Sequence, residues 1–153
     1  MLEIAVMWFI NKDREILLQK RSLTKSMHPG EWGPSVTGTA EIGEQPEETL
    51  LREVEEEIGL TPIEYKPEFI MTKDFMHPDG RIRRFSIFYA LVPKEIVDKF
   101  KLDEKEVAEV RWLPIKKVRE LMATPSPEFK IVASSKEVWP ETFEILEKNF
   151  NAK

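Results

Sequence analysis

The stretch "GTAEIGEQPEETLLREVEEEIGL" (Gly38–Leu60) carries eight glutamates and one arginine in twenty-three positions. Within it Leu50, Leu51, Val54 and Ile58 recur at helical spacing, which predicts an amphipathic helix from Pro46 to Ile58. Pro46 suits the first turn, where its missing N–H has no partner to lose, and Gly59 suits a left-handed stop. On that helix Glu53, Glu56 and Glu57 stand at i, i+3 and i+4, so their carboxylates converge on one face. Like charges at this spacing each cost about 0.2–0.5 kcal/mol unless something positive neutralises them. Grouped hard oxygen donors suit Mg²⁺ or Mn²⁺. Arg52 can clamp one carboxylate, Glu44 enters from the preceding loop, and glycines 38 and 43 let that loop turn tightly. The alternative is a solvated acidic face; the loop-to-helix context and the flanking glycines favour the cation-binding reading.

Outward from this segment, short apolar runs alternate with turn signals. "IAVMWFI" (Ile4–Ile10) and "ILLQKR" (Ile16–Arg21) flank "NKDRE", which predicts two strands joined by a hairpin. "SLTKSMHPGEWGP" (Ser22–Pro34) reads as a loop, and "SVTG" (Ser35–Gly38) as a short strand entering the acidic segment. Beyond it, "IEYKPEFIMTKDFM" and "RIRRFSIFYALV" flank "HPDG", whose Asp-Gly signals a second hairpin. "EVAEVRWLP" is a strand and "IKKVRELM" a helix; the tail from Pro127 to Phe150 is helical, interrupted near Pro140. Trp8, Trp112 and Trp139 are expected in the core. Strands and helices mix without regular βαβ alternation, so the expected class is α+β, or a layered sandwich. No linker or repeat divides the chain, and residues 1–153 are read as one domain.

Bulk properties narrow the function classes. The net charge of −5 does not favour a nucleic-acid polymer or an anionic membrane. The seven-residue apolar run near the start is far short of the roughly 20 residues a membrane helix needs, and it lacks a basic leader. The absence of cysteine removes disulfides, thiolate metal sites and cysteine nucleophiles. A cytoplasmic protein, monomer or homodimer, acting on a small molecule is the expectation.

Gly38, five residues, Glu44, seven residues, then Arg52-Glu53-Val54-Glu55-Glu56-Glu57-Ile58-Gly59-Leu60 matches every defined position of the Nudix box. The chain therefore resembles a Nudix hydrolase, through the box and the strands around it, and the likeness fades in the C-terminal tail. The resemblance implies an α/β/α sandwich on a mixed sheet, with the box as loop-helix-loop, and divalent-metal-dependent cleavage of a diphosphate linked to some group X. It implies that Glu53, Glu56 and Glu57 bind metal with the backbone carbonyl of Thr37. Arg52 would orient a box glutamate and Glu44 would support the set. It further implies that a glutamate near the late strand, Glu104, Glu106 or Glu109, serves as a base or extra ligand.

"LLQKRS", Lys25, "PGEW" and "SV-x-G" resemble the branch that includes isopentenyl-diphosphate isomerase and hydrolase-like relatives. Isomerases of that branch need a cysteine near "SV-x-G" and histidine ligands; this chain has no cysteine, and Thr39 stands where a histidine is often found. Hydrolysis is therefore the expected reaction, with isomerisation or a non-catalytic binding module as alternatives. Four residues are candidates for substrate contact, each with a plainer reading beside it. Arg21 and Lys25 contact phosphate or are solvated; Trp32 stacks on a base or packs over the sheet; Arg83 binds phosphate or guards a hairpin end. His28 and His77 are read as turn or surface residues.

Overall fold

The computed structural model describes residues 1–26, 28–132 and 134–151. Its frame is a mixed seven-stranded sheet. Strands β1 (Leu2–Ile10), β2 (Glu15–Arg21), β3 (Trp32–Gly33), β4 (Val36–Thr39), β5 (Glu68–Met76), β6 (Ile82–Leu91) and β7 (Val107–Pro114) run in the order β3-β2-β1-β6-β5, with β4 paired to β1 and β7 to β2. β1 and β6 are parallel, in register from Leu2↔Arg83 to Ile10↔Leu91, and the other pairs are antiparallel.

A strand buried on both faces reads as a continuous apolar run, and β1 is one. Its odd residues Ala5, Met7 and Phe9 pack with Leu50, Val54 and Ile58 of helix α1 (Pro46–Ile58). Its even residues Val6, Trp8 and Ile10 pack with Val118 of α2 (Ile115–Ala123) and with Val138, Trp139, Phe143 and Leu146 of α3 (Ser135–Asn151). Trp139 and Phe143 meet Trp8 edge-on at 5.0 and 5.4 Å. One helix on one face and two on the other make the α/β/α sandwich.

α1 begins as expected: the Gln45 N–H donates to Glu48 Oε1 at 2.9 Å, and Pro46 opens the helix. It ends at Gly59 with φ 79°, where the glycine N–H donates to the Val54 and Glu55 carbonyls. The "HPDG" turn also forms, with Gly80 at φ 86°.

Three expectations need correction. The first hairpin forms, but its strands part at once: β1 and β2 pair only at Ile10↔Ile16. Ser35 fills the wedge, accepting from Phe9 N–H at 2.9 Å and donating to the Leu17 carbonyl at 2.6 Å, so the split leaves those backbone groups satisfied. Among the described residues the tail before Ser135 is not helical; Ile131 bridges to Trp32, and the helix that follows runs unbroken through Pro140. Proline forfeits one hydrogen bond there, but the anchoring of Trp139 and Phe143 on Trp8 holds the turn in place. Trp112 is half-buried rather than core, with its indole N–H on the Lys94 carbonyl at 3.1 Å. A 3₁₀ helix at Lys94–Lys99 had no signal strong enough to be read.

Candidate active site

The split between β1 and β2 opens onto a cleft of about 350 Å³, and the box helix delivers its last carboxylate there. The box glutamates do not share one environment. Glu56 is 57% exposed, whereas Glu57 is only 6% exposed and lines the cleft. Glu57 Oε1 accepts from Gln19 Nε2 at 2.9 Å, and the same amide nitrogen donates to the Ser35 carbonyl at 2.9 Å. Gln19 therefore ties the β2 edge of the wedge, the "SV-x-G" strand and Glu57 into one buried network. Burial first, and then the neighbouring Glu53, push the Glu57 carboxyl well above the usual carboxylate range; Gln19 pulls it the other way.

Arg52 is the hub of the remaining carboxylates. It holds Glu44 with two bonds of 2.8 and 2.9 Å, Glu53 at 2.9 Å and Glu56 at 3.1 Å, and its Nη2 also donates to the Thr39 carbonyl. The guanidinium holds Glu44 at about 2, helped by the Glu41 N–H and the Thr49 hydroxyl. This fork-on-fork contact is stronger and more directional than a point charge would give. Gly38 has a steric reason: a Cβ there would lie 2.1 Å from both Cγ and Cδ of Glu53. The glycine lets Glu53 lie flat against β4.

Thr37, Arg21 and Arg83 line the same cleft as Glu57, and so do His28 and His77, read from sequence as turn or surface residues. Lys25 does not line it; its ammonium pairs with Glu106 Oε2 at 2.7 Å. Of the three late glutamates, Glu106 alone lines the cleft, whereas Glu109 pairs with Arg111 and Glu104 is exposed. Trp32 lies outside the cleft, 2% exposed and stacked on Phe129 at 4.6 Å, with the Arg111 guanidinium 4.9 Å from its ring; of its two readings, packing describes where the ring sits. Gln19 is the residue that sequence reasoning missed. Its signal was slight: one amide in the otherwise apolar inner part of β2.

A hard divalent cation fits this chemistry. Glu57 is a buried carboxyl beside a second carboxyl, while Arg52 serves Glu53 and Glu56. The Arg52 guanidinium holds Glu53 and Glu56, and among the described residues no three His, Cys, Asp or Glu side chains are gathered as a ready ligand set.

A family model described as "NUDIX domain" matches residues 1–133. The chain belongs to the Nudix family. It is 31% identical over 126 residues to an isopentenyl-diphosphate Delta-isomerase of Salmonella heidelberg, an alignment covering 77% of this chain and 65% of that protein. The chain thus spans about 65% of the length of the curated relatives it matches. Among solved structures, a MutT protein from Methanosarcina mazei Go1 superposes with a TM-score of 0.73 at 21% identity, over 96% of this chain and 95% of that one. The NUDIX domain of Shewanella oneidensis NrtR, solved with ADP ribose, superposes with a TM-score of 0.69 at 18% identity, over 95% and 88%. At these identities the likeness establishes the sheet and helix arrangement.

Proposed function

We propose that this Nudix protein is a divalent-metal-dependent hydrolase that cleaves the diphosphate bond of a nucleoside-diphosphate-linked or similar small diphosphate. The observation that carries this reading is Glu57: a buried carboxylate beside Glu53, at the end of a cleft that Arg21 also lines. Glu53, Glu56, Glu57 and the Thr37 carbonyl would hold Mg²⁺ or Mn²⁺. The bound ion supplies Lewis-acid polarisation of the phosphoryl group and lowers the pKa of water. Gln19 fixes one Glu57 oxygen, leaving the other for the ion. Arg52 would orient Glu53 and Glu56, to which it is bonded, and its two bonds to Glu44 anchor the guanidinium. Glu106, which lines the same cleft and is tethered by Lys25, would hold or accept the proton of the attacking water.

The 31% identity to isomerases favours a second reading, isomerisation of a prenyl diphosphate. The chain lacks any cysteine, and its histidines lie elsewhere than the box strand. A panel of diphosphate compounds with Mg²⁺ or Mn²⁺, including isopentenyl diphosphate, separates the readings through product identification. Two phosphorylated or dephosphorylated fragments support hydrolysis; a rearranged double bond with the diphosphate intact overturns it.

A further inference from the structure

β1 and its partners form a ruler along the cleft floor. Val6 faces Thr37 and Ile87 across the ladders, Ile4 faces Thr39 and Phe85, and Leu2 faces Arg83. Val6, Ile4 and Leu2 all line the cleft, as do Thr37, Phe85 and Arg83. Four residues of strand at ~3.3 Å each separate the Val6 level from the Leu2 level by about 13 Å. Glu57 and Thr37 stand at the near end, and Arg83, His77 and Phe75 at the far end, with Ile4 and Phe85 between them. Polar and charged side chains mark both ends of this floor, and Ile4 and Phe85, with Thr39 beside them, lie between.

The far end is built for an acceptor. Arg83 is largely buried, and two of the five N–H groups of its guanidinium serve Asp79, at 2.9 and 3.4 Å. The Asp79 N–H donates to His77 Nδ1 at 3.2 Å, so the neutral ring carries its proton on Nε2 and offers a second donor. Asp79 is shared between Arg81 and Arg83, which leaves the hairpin tip with surplus positive charge in a chain of net charge −5. A structural hairpin lock would need only the Arg83–Asp79 pair. It would not need both donors on the wall of a cleft.

We propose that this end is a second subsite, and that group X carries an anionic group, phosphate or carboxylate, held by Arg83 and His77 beyond an apolar body. The inference rests on the diphosphohydrolase reading for the identity of the first subsite. It makes the preferred substrate anionic at both ends, one end at the box and one at the β5–β6 turn.

The test uses alkyl diphosphates of graded length ending in carboxylate, phosphate or methyl, together with their non-hydrolysable methylene-bridged analogues. Binding of the analogues with Mg²⁺ present is followed by calorimetry, and hydrolysis of the parent compounds by product identification. The charged-ended ligands are expected to bind at least about tenfold more tightly than methyl-ended ones at one optimal length. That ratio should collapse towards one in Arg83→Leu and fall in His77→Phe, while Arg83→Lys retains part of it. The carboxylate and phosphate arms show which group is preferred. No preference in the wild type, or an undiminished preference in both Arg83→Leu and His77→Phe, overturns the proposal. Discrimination in binding without hydrolysis of any compound keeps the subsite and refutes the hydrolase reading instead.

Discussion

Replacing Gln19 with leucine removes one nitrogen that serves two buried acceptors. Both bonds are 2.9 Å, one to the Ser35 carbonyl and one to Glu57 Oε1, and Gln19 itself is 7% exposed. Leucine fills a similar volume, so the cost is not a cavity. It is two acceptors left without a donor, each about 1–3 kcal/mol, with the carboxylate at the upper end. Protonation of Glu57 relieves part of its share, which puts the expected loss at about 2–4 kcal/mol in the metal-free protein. Urea unfolding measures it directly. The same substitution frees the Glu57 carboxylate to turn, and loss of a partner that orients a metal ligand typically weakens metal affinity or activity by about 10–100-fold. A titration of Mn²⁺ binding reads that second effect, and Gln19→Glu, which offers an acceptor where a donor is needed, should be at least as damaging. A loss under about 0.5 kcal/mol together with unchanged Mn²⁺ affinity would refute the idea that Gln19 orients Glu57.

Two further outcomes follow from the geometry. Pro140→Ala should stabilise the fold by about 1–3 kcal/mol, because the exposed proline sits inside a continuous helix and costs it a hydrogen bond; thermal unfolding with unchanged helical signal is the check. Glu44, held at about 2 against an ordinary 4.5, contributes stability that is complete above pH 4.5 and is lost as pH falls through that window. The acid limb of the melting temperature should therefore be shallower in Glu44→Gln than in the wild type, with the difference confined to that range.

The features that sequence made legible are local ones. The helix limits, the proline start, the glycine stop and the Asp-Gly turn depend on neighbours within a few positions, and each stands where it was expected. The box glutamates could be named from spacing alone. Their division of labour could not: spacing puts Glu56 and Glu57 on one helix face, but only the parting of β1 from β2 buries one and leaves the other exposed. Gln19 meets Glu57 across 38 residues, and Trp32 meets Phe129 from the other end of the chain. Proline's local rule failed at Pro140 because aromatic packing outweighs one lost hydrogen bond. His77 read correctly as a turn residue, yet the β5–β6 register also sets it on the cleft wall.

The central claim is that Glu57 is a buried ligand whose charge the bound ion, and hence the reaction, requires. The direct measurement is turnover of a diphosphate substrate by Glu57→Gln at saturating Mg²⁺, with the melting temperature of the metal-free protein taken alongside. Glutamine keeps the shape and removes the unfavourable buried charge. The account predicts turnover lower by about two orders of magnitude or more, with a metal-free fold at least as stable as the wild type. Near-normal turnover in a folded Glu57→Gln protein would contradict it.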